Sequence, residues 1–176
     1  AQPGKLTYAS AGTGAGTHLA MELLMMSQKI ELVHVPYKGT GPALTALLGN
    51  QISAFFSTFA SALPHVKAER LRAFAVTSLK RAGTLPEVPT VAESGVPGYE
   101  YSTWYGLLSP AGVPRAIVNR LNKETVTALN DPEIRQRYTA QGVEPIPSTA
   151  AHFAAYLKSE TEKWSKVIRA AKIPIQ

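Results

Sequence analysis

A glycine-rich segment with three hydroxyl side chains and one histidine is the part of the sequence best suited to hold a ligand. It runs from Ser10 to His18 and follows a β-like run, Leu6 to Ser10. Glycines let the backbone approach a ligand closely, and the first turn of a following helix offers unpaired N–H donors and a favourable dipole. The segment predicts a site for a carboxylate or phosphate. Its candidate contacts are Ser10, Ala11, Gly12, Thr13, Gly14, Thr17 and His18.

The spacing of these glycines differs from the glycine-rich motifs of known enzyme classes. The third glycine of Gly12-Thr-Gly14-Ala-Gly16 comes one residue too early for a dinucleotide fingerprint, and no Gly-Lys-Ser/Thr follows as in a P-loop. Tyr8 stands where a nucleophile elbow needs glycine. Three alternatives stay open: a plain strand-to-helix turn, an α/β enzyme or nucleotide-binding domain using the loop at 10–18, and a purely structural domain.

The role of His18 also has two interpretations. In the first turn of a helix a neutral imidazole is favoured, and it could donate a hydrogen bond to an anion. Equally, the ring could pack or cap the helix. The other histidines, His34, His65 and His152, form no metal-ligand spacing with a second histidine or a glutamate, so we interpret them as structural.

Two further segments follow predicted strands and carry polar groups. Tyr37 and Lys38 lie between a strand and a helix, and Ser57 and Thr58 close the third strand. Ligands of open α/β sheets bind beyond the carboxyl ends of the strands. We therefore expect these four residues to line the same cleft as the first loop.

Charge and composition exclude several kinds of protein. The 176 residues carry a formal charge of +6, Asp131 is the only aspartate, and the only acids before Lys67 are Glu22 and Glu31. Metal sites and two-carboxylate enzymes need clustered acids, so we predict no metal, no cofactor and no catalytic residue. Lysine and arginine never run longer than two and form no basic stripe, which argues against nucleic acid. A basic, acid-poor surface favours a small anion instead.

The elements that must position these residues alternate between strand and helix. Predicted strands cover 6–10, 32–35, 52–57 and 72–77, with helices between them, so the pattern predicts an α/β fold with parallel βαβ units. Residues 80–98 are expected to form a long ordered loop or a linker, and 100–109 another strand. After Pro114 the chain is predicted to be helical, with a possible short strand at 143–146. Asp131 is the expected N-cap of a helix that opens with Pro132, and the last helix covers 148–171.

Seven runs along the chain resemble the periplasmic solute-binding receptors of tripartite tricarboxylate transporters, the Bug or TctC-like family. The runs occur in order and cover nearly the whole chain. They are Leu6-Thr-Tyr-Ala-Ser-Ala-Gly-Thr-Gly, His34-Val-Pro-Tyr-Lys-Gly, Ser61-Ala-Leu-Pro-His-Val-Lys, Leu71-Arg-Ala-Phe-Ala-Val-Thr-Ser, Leu85-Pro-Glu-Val-Pro-Thr-Val-Ala-Glu-Ser-Gly, Trp104-Tyr-Gly-Leu-Leu-Ser-Pro-Ala-Gly-Val-Pro and Phe153-Ala-Ala-Tyr-Leu-Lys with Glu162-Lys-Trp.

The resemblance implies a type II periplasmic binding protein fold and a receptor that captures a small carboxylate without catalysis. It further implies membrane transporter subunits as partners. Residues 1–103 would be the second lobe, and 104–176 a crossover strand and C-terminal helices that return to the first lobe. Ser57-Thr58 stands where many relatives have an Asp, which makes an amino-acid ligand less expected.

The resemblance also implies that a segment preceding these residues in the family, which builds most of the first lobe, is absent. The chain is thus expected to be a truncated receptor. Because a lobe would be missing, a homodimer or a segment-swapped oligomer is expected.

Overall fold

The computed structural model describes residues 4–174. It contains β1 (Thr7–Ser10), α1 (Gly16–Gln28), β2 (Val33–Pro36), α2 (Thr40–Leu48), β3 (Ala54–Phe55), α3 (Phe59–Lys67), α4 (Arg115–Asn130), α5 (Pro132–Ala140) and α6 (Ala150–Ala170). The strands form one parallel sheet in the order β2-β1-β3, with Tyr8 opposite both His34 and Ala54. Strand and helix alternate through this part of the chain, which confirms the predicted α/β class.

The central strand, β1, is buried and forms the core of the sheet. Tyr8, Ala9 and Ser10 are fully buried, and neighbouring strands pair with both edges of β1. Ala9 packs with Ala43, Ala46 and Ile52, so α2 lies against the sheet through small side chains. The methyl groups of alanine permit this close approach of helix to strand.

The long segment after α3 is ordered and contributes a second core. Val91, Val96 and Tyr99 pack together, and half-buried Leu23 and Leu24 of α1 pack against them. The Tyr99 hydroxyl donates a hydrogen bond to the Ala20 carbonyl oxygen at 2.8 Å. This segment therefore covers α1 and is an ordered loop rather than a linker.

The strands predicted at 72–77, 100–109 and 143–146 are wrong as regular elements. At 72–77 the structure has only a parallel bridge between Val76 and Thr90. Its ladder stops at Pro89, which has no N–H to donate. Residues 102–109 are exposed and no described backbone pairs with them, and Pro145 and Pro147 interrupt the third segment. Strand formation needs a run of paired backbone groups, and among the described residues none of the three segments has more than one such bridge.

One strand boundary also differs from the prediction. The third strand shortens from 52–57 to Ala54–Phe55. Pro114 is the N-cap of α4, so a helix begins directly after it, as predicted. The cap at Asp131 is confirmed, since its carboxylate accepts hydrogen bonds from the N–H groups of Glu133 and Ile134 at 2.9 and 3.1 Å.

The described residues divide into two compact units. One comprises the described part of Ala1–Thr103 and Trp164–Gln176, and the other is Trp104–Lys163. The end of α6 belongs to the first unit, where Val167 is buried and the Trp164 ring meets Tyr101 edge-on at 5.5 Å. The second unit includes α4 and α5, and in it the Trp104 ring contacts Phe153 and Tyr156 at 5.7 Å each. The assignment of residues 1–103 to a second lobe stays a prediction.

Candidate functional site

The three loops singled out from the sequence follow the carboxyl ends of three parallel strands, so they meet at one edge of the sheet. Residues 11–15 follow β1, 37–39 follow β2, and 56–58 follow β3. This edge is where an α/β sheet places its ligand.

Backbone hydrogen bonds join the first two loops directly. The Tyr37 N–H donates to the Ser10 carbonyl oxygen, and the Gly39 N–H donates to that of Ala11, each at 3.0 Å. Gly12 has a φ of +142°, and a Cβ there would lie 3.5 Å from the Tyr37 carbonyl oxygen. The glycine supplies a conformation that other residues rarely adopt, whereas the contact with the second loop would by itself tolerate a Cβ.

The hydroxyl groups of Ser10 and Thr17 are directed into the first loop. The Ser10 hydroxyl donates to the Gly12 carbonyl oxygen at 3.0 Å and accepts from the Gly12 N–H at 3.2 Å. The Thr17 hydroxyl accepts from the Ala11 N–H at 2.8 Å. Ser10 is fully buried and Thr17 is 9 % exposed, so these side chains stabilise the loop through hydrogen bonds to its backbone.

Beneath the loop lies a cluster of polar and aromatic side chains that we call the under-loop network: Tyr8, His18, Glu22 and His34. The Tyr8 hydroxyl donates to Glu22 Oε1 at 2.6 Å, and His18 Nε2 lies 3.4 Å from the same oxygen. The His18 and His34 rings stack with their centroids 3.9 Å apart, and Tyr8 stacks on His34 at 4.9 Å.

The network connects to the loop at two atoms. The Gly14 N–H donates to His18 Nδ1 at 3.0 Å, and His34 Nε2 lies 2.6 Å from the Ser10 hydroxyl oxygen. His18 is only 5 % exposed. Of the two roles left open for His18, the structure favours packing beneath the loop over direct contact with an anion.

Burial sets the titration behaviour of the network. Burial lowers the pKa of His18, although the hydrogen-bonded carboxylate of Glu22 opposes the shift. Burial and repulsion from His18 lower the pKa of His34 to about 4. Burial, the hydrogen bond to Glu22 and the charge of Glu22 raise the pKa of Tyr8 well above its ordinary range. Both imidazoles are therefore neutral at pH 7.

The groups that remain free at the loop surface suit an anion. Thr13 and Gly14 are exposed, and within the part of the chain that the structure describes the Thr13 N–H has no hydrogen-bond partner. Helix α1 begins at Gly16 without a side-chain cap, so the positive end of its dipole faces the loop. The His18 N–H, in the first turn, donates to the Ala15 carbonyl oxygen at 2.8 Å. Lys38 is exposed in the neighbouring loop, and Tyr37 is half-buried.

The third loop contributes a different arrangement. The Ser57 hydroxyl oxygen is buried and has no hydrogen-bond partner among the described residues, and the Thr58 hydroxyl donates to that of Ser61 at 2.8 Å. No hydrogen bond between described residues connects this loop to the other two. The structure thus brings the first two loops into contact, whereas Ser57 and Thr58 share only the sheet edge with them.

Sequence reasoning missed the part that Tyr8, Glu22 and His34 play beneath the loop. One signal was present: His18 and Glu22 are four residues apart on α1, and side chains at that spacing are neighbours on a helix. The contact with His34 had no local signal, because it depends on the pairing of β1 with β2. Among residues 4–174 no cluster could hold a metal ion, and no described helix is long and apolar enough to cross a membrane.

Comparison with known proteins identifies the family to which this chain belongs. Residues 1–173 match the family described as "Tripartite tricarboxylate transporter family receptor". A protein of Pseudomonas sp. (strain P51), described as a UPF0065 protein in the tcbD-tcbE intergenic region, is 42 % identical over 167 residues. That match covers 94 % of this chain and 50 % of the relative. The chain spans about half the length of most curated relatives that it matches.

One relative is of similar length to this chain. The UPF0065 protein in the clcB-clcD intergenic region of Pseudomonas knackmussii is 33 % identical over 159 residues, which are 90 % of this chain and 94 % of the relative.

Solved structures have the same fold. A protein of R. palustris with adipate matches with a TM-score of 0.88 and 31 % identity, covering 98 % of this chain and 57 % of that one. The periplasmic binding protein BugD matches at 0.84 and 33 %, covering 99 % and 59 %. MatC from Rhodopseudomonas palustris with bound malate matches at 0.81 and 32 %, covering 94 % and 57 %. The resemblance and the type II binding-protein fold expected from the motifs are both confirmed.

Proposed function

Because the chain belongs to the family of tripartite tricarboxylate transporter receptors, we propose that it supplies ligand-binding loops of a periplasmic receptor for a small carboxylate. The observation that carries this proposal is the Thr13 N–H in the loop that leads into α1, which has no partner among residues 4–174, with Lys38 in the adjoining loop. Backbone N–H donors and the positive end of a helix dipole stabilise a negatively charged group such as a carboxylate.

The electrostatics of the sheet edge support an anion over a cation. Loops 11–15, 37–39 and 56–58 contain no acidic residue, and the nearby Glu22 accepts hydrogen bonds beneath the first loop. Their exposed polar groups are backbone N–H groups, hydroxyls and one ammonium group. Such a set can orient a ligand but holds no acid–base pair, so the proposed activity is capture without catalysis.

The ligands of two structural relatives narrow the first compounds to test. Adipate and malate, named with the R. palustris structures, both carry two carboxylates. We extend this to the present chain as a dicarboxylate preference. One carboxylate would bind at Thr13, and the other would bind a second donor such as the exposed Lys38 of the neighbouring loop.

The experiment is a thermal-shift and calorimetric panel with adipate, malate, citrate, an amino acid and a nucleotide. The proposal expects a response to a carboxylate. It also expects Thr13→Asp to lose that response, because a carboxylate side chain would then face the ligand. Thr127→Asp is the matched control, since it adds the same charge at an exposed position on α4. A response to the nucleotide alone, or equal loss in both variants, would contradict the proposal.

The proposed partners are the membrane subunits of a tripartite transporter and a second copy of the chain. The second unit exposes 82 % of Tyr105, 67 % of Leu108 and 72 % of Ile146, and apolar surface of this kind favours association. Light scattering at increasing concentration should show a dimer, and a monomer throughout would contradict the self-association.

A further inference from the structure

The under-loop network has no assigned task in ligand capture, although it contains four buried or half-buried titratable groups directly beneath the loop. Tyr8 is fully buried, His18 is 5 % exposed, and Glu22 and His34 are half-buried. Buried polar groups are costly unless hydrogen-bonded, so a cluster of this size beneath a surface loop calls for a physical reason.

The hydrogen bonds fix the orientation and the tautomer of His18. Because the Gly14 N–H donates to Nδ1 at 3.0 Å, Nδ1 must carry a lone pair, and the ring proton lies on Nε2. That proton faces Glu22 Oε1, which lies 3.4 Å from Nε2. The same oxygen accepts a hydrogen bond from the Tyr8 hydroxyl at 2.6 Å. The Tyr8–Glu22 pair therefore holds the ring so that its other nitrogen presents an acceptor to the loop.

A second anchor acts on the other side of Thr13. The Ser10 hydroxyl bonds both the N–H and the carbonyl of Gly12, and His34 contacts that hydroxyl at 2.6 Å. Gly12 and Gly14 have φ angles of +142° and +77°. Because glycine lacks a Cβ, its own conformational preference does not fix such a turn. The exposed Thr13 lies between these two glycines, and each glycine is hydrogen-bonded to one side chain, Ser10 or His18, that belongs to the network or contacts it.

We infer that His18 is a positioning residue for carboxylate capture: it holds Gly14, and through Gly14 the free Thr13 N–H, in the geometry that binds the ligand. The inference rests on the proposed function. A preorganised donor avoids the entropy of ordering the loop at binding. Protonation at Nδ1 would remove the acceptor for Gly14, so the positioning depends on a neutral ring.

The first test needs no ligand and no variant. In the ¹⁵N-labelled wild-type chain, the Gly14 amide nitrogen and His18 Nδ1 should show a coupling through the hydrogen bond. The His18 ring should have its proton on Nε2, and the coupling should disappear as the ring is protonated.

Two substitutions separate the two nitrogen atoms of His18. His18→Asn keeps an acceptor near the Nδ1 position and loses the donor to Glu22, whereas His18→Gln keeps a donor near the Nε2 position and loses the acceptor for Gly14. For adipate or malate, whichever binds the wild type, we expect His18→Gln to weaken affinity about tenfold, and His18→Asn to weaken it clearly less. His152→Gln, at an exposed position on α6, is the control and should match the wild type.

The outcomes distinguish the inference from the proposed function. Binding by the wild type, the coupling, and tighter binding by the Asn variant than the Gln variant would support the inference. Binding by the wild type without the coupling, or equal affinities in the two variants, would overturn the inference alone. A coupling without any carboxylate binding would overturn the proposed function, and with it the assignment of the His18 contact to ligand capture.

Discussion

The two compact units differ in how completely they bury their own apolar side chains. Every buried apolar side chain among the described residues, other than Pro145, lies in the unit that holds β1. In the second unit Trp104 packs on Phe153 and Tyr156, yet Leu107 and Ile117 remain 66 % and 50 % exposed. The first unit therefore has a buried apolar core, and the second unit does not.

The difference indicates what each unit can do alone. A binding loop needs rigid support, and the first unit provides it through a buried strand and a buried network. The second unit has individual hydrogen bonds, such as the Asp131 cap and the bond from the Asn122 side chain to the Ser148 carbonyl oxygen at 2.9 Å, in place of a buried core. Substitutions of equal size should therefore have larger effects in the first unit.

The largest expected effect comes from adding one methyl group at two glycines. A Cβ at Gly16 would overlap the Tyr101 hydroxyl, and a Cβ at Gly106 would overlap the Phe153 ring. We expect Gly16→Ala to reduce the free energy of unfolding by about 3 kcal/mol, because the new methyl group overfills a site where Gly16 and Tyr101 are both half-buried. Gly106→Ala should cost about 1 kcal/mol, since its exposed surroundings can yield. Urea unfolding measures both.

The cause is tested by a second substitution. Tyr101→Phe removes the hydroxyl that the new methyl group would meet, so it should recover part of the loss in Gly16→Ala. Equal losses at Gly16 and Gly106 would contradict the contrast between the units.

The next effect is a pH dependence of the free energy of unfolding, which arises from His34 in the first unit. The pKa of His34 is about 4 in the folded chain and 6.5 in the unfolded chain, so between these values only the unfolded chain binds the proton. The free energy of unfolding should therefore fall, by about 2 kcal/mol, as the pH drops from 6.5 to 4. The groups facing His34 are Tyr8, His18 and the hydroxyl of Ser10.

Matched variants isolate this contribution. His34→Gln should flatten the decline in unfolding free energy between pH 6.5 and 4, whereas His152→Gln should leave it as in the wild type. An identical decline in His34→Gln and the wild type would show that other groups cause it.

The smallest effect compares two tyrosine hydroxyls. Tyr8→Phe removes the donor to Glu22 and leaves a half-buried carboxylate with one partner fewer, which should cost about 1.5 kcal/mol of unfolding free energy. Tyr138→Phe, on α5 with 42 % of the residue exposed, should change it by less than about 0.5 kcal/mol. Similar losses in the two variants would show that the Tyr8–Glu22 bond contributes little.

The sequence predicted those elements whose signals are local. Periodicity and the punctuation by Gly and Pro indicated β1, α1, β2 and α2, and Asp131-Pro132 marked the start of α5. Prediction failed at 72–77, 100–109 and 143–146, since strand propensity there did not reveal whether a partner strand was available. The candidate site followed the same division: the sequence located Ser10, Thr17 and His18 where β1 passes into α1, but it did not specify which way their side chains point.

The sequence by itself determined that an acid-poor, glycine-rich turn joins a strand to a helix, because glycine content, charge and spacing are properties of neighbouring residues. It also determined the family, through short runs kept in order along the chain. Only the tertiary structure decided which hydroxyls face inward and which amide remains free. The parallel pairing of β1 with β2 brings His34 onto His18 across 15 intervening positions of the sequence, and no local pattern specifies such a contact.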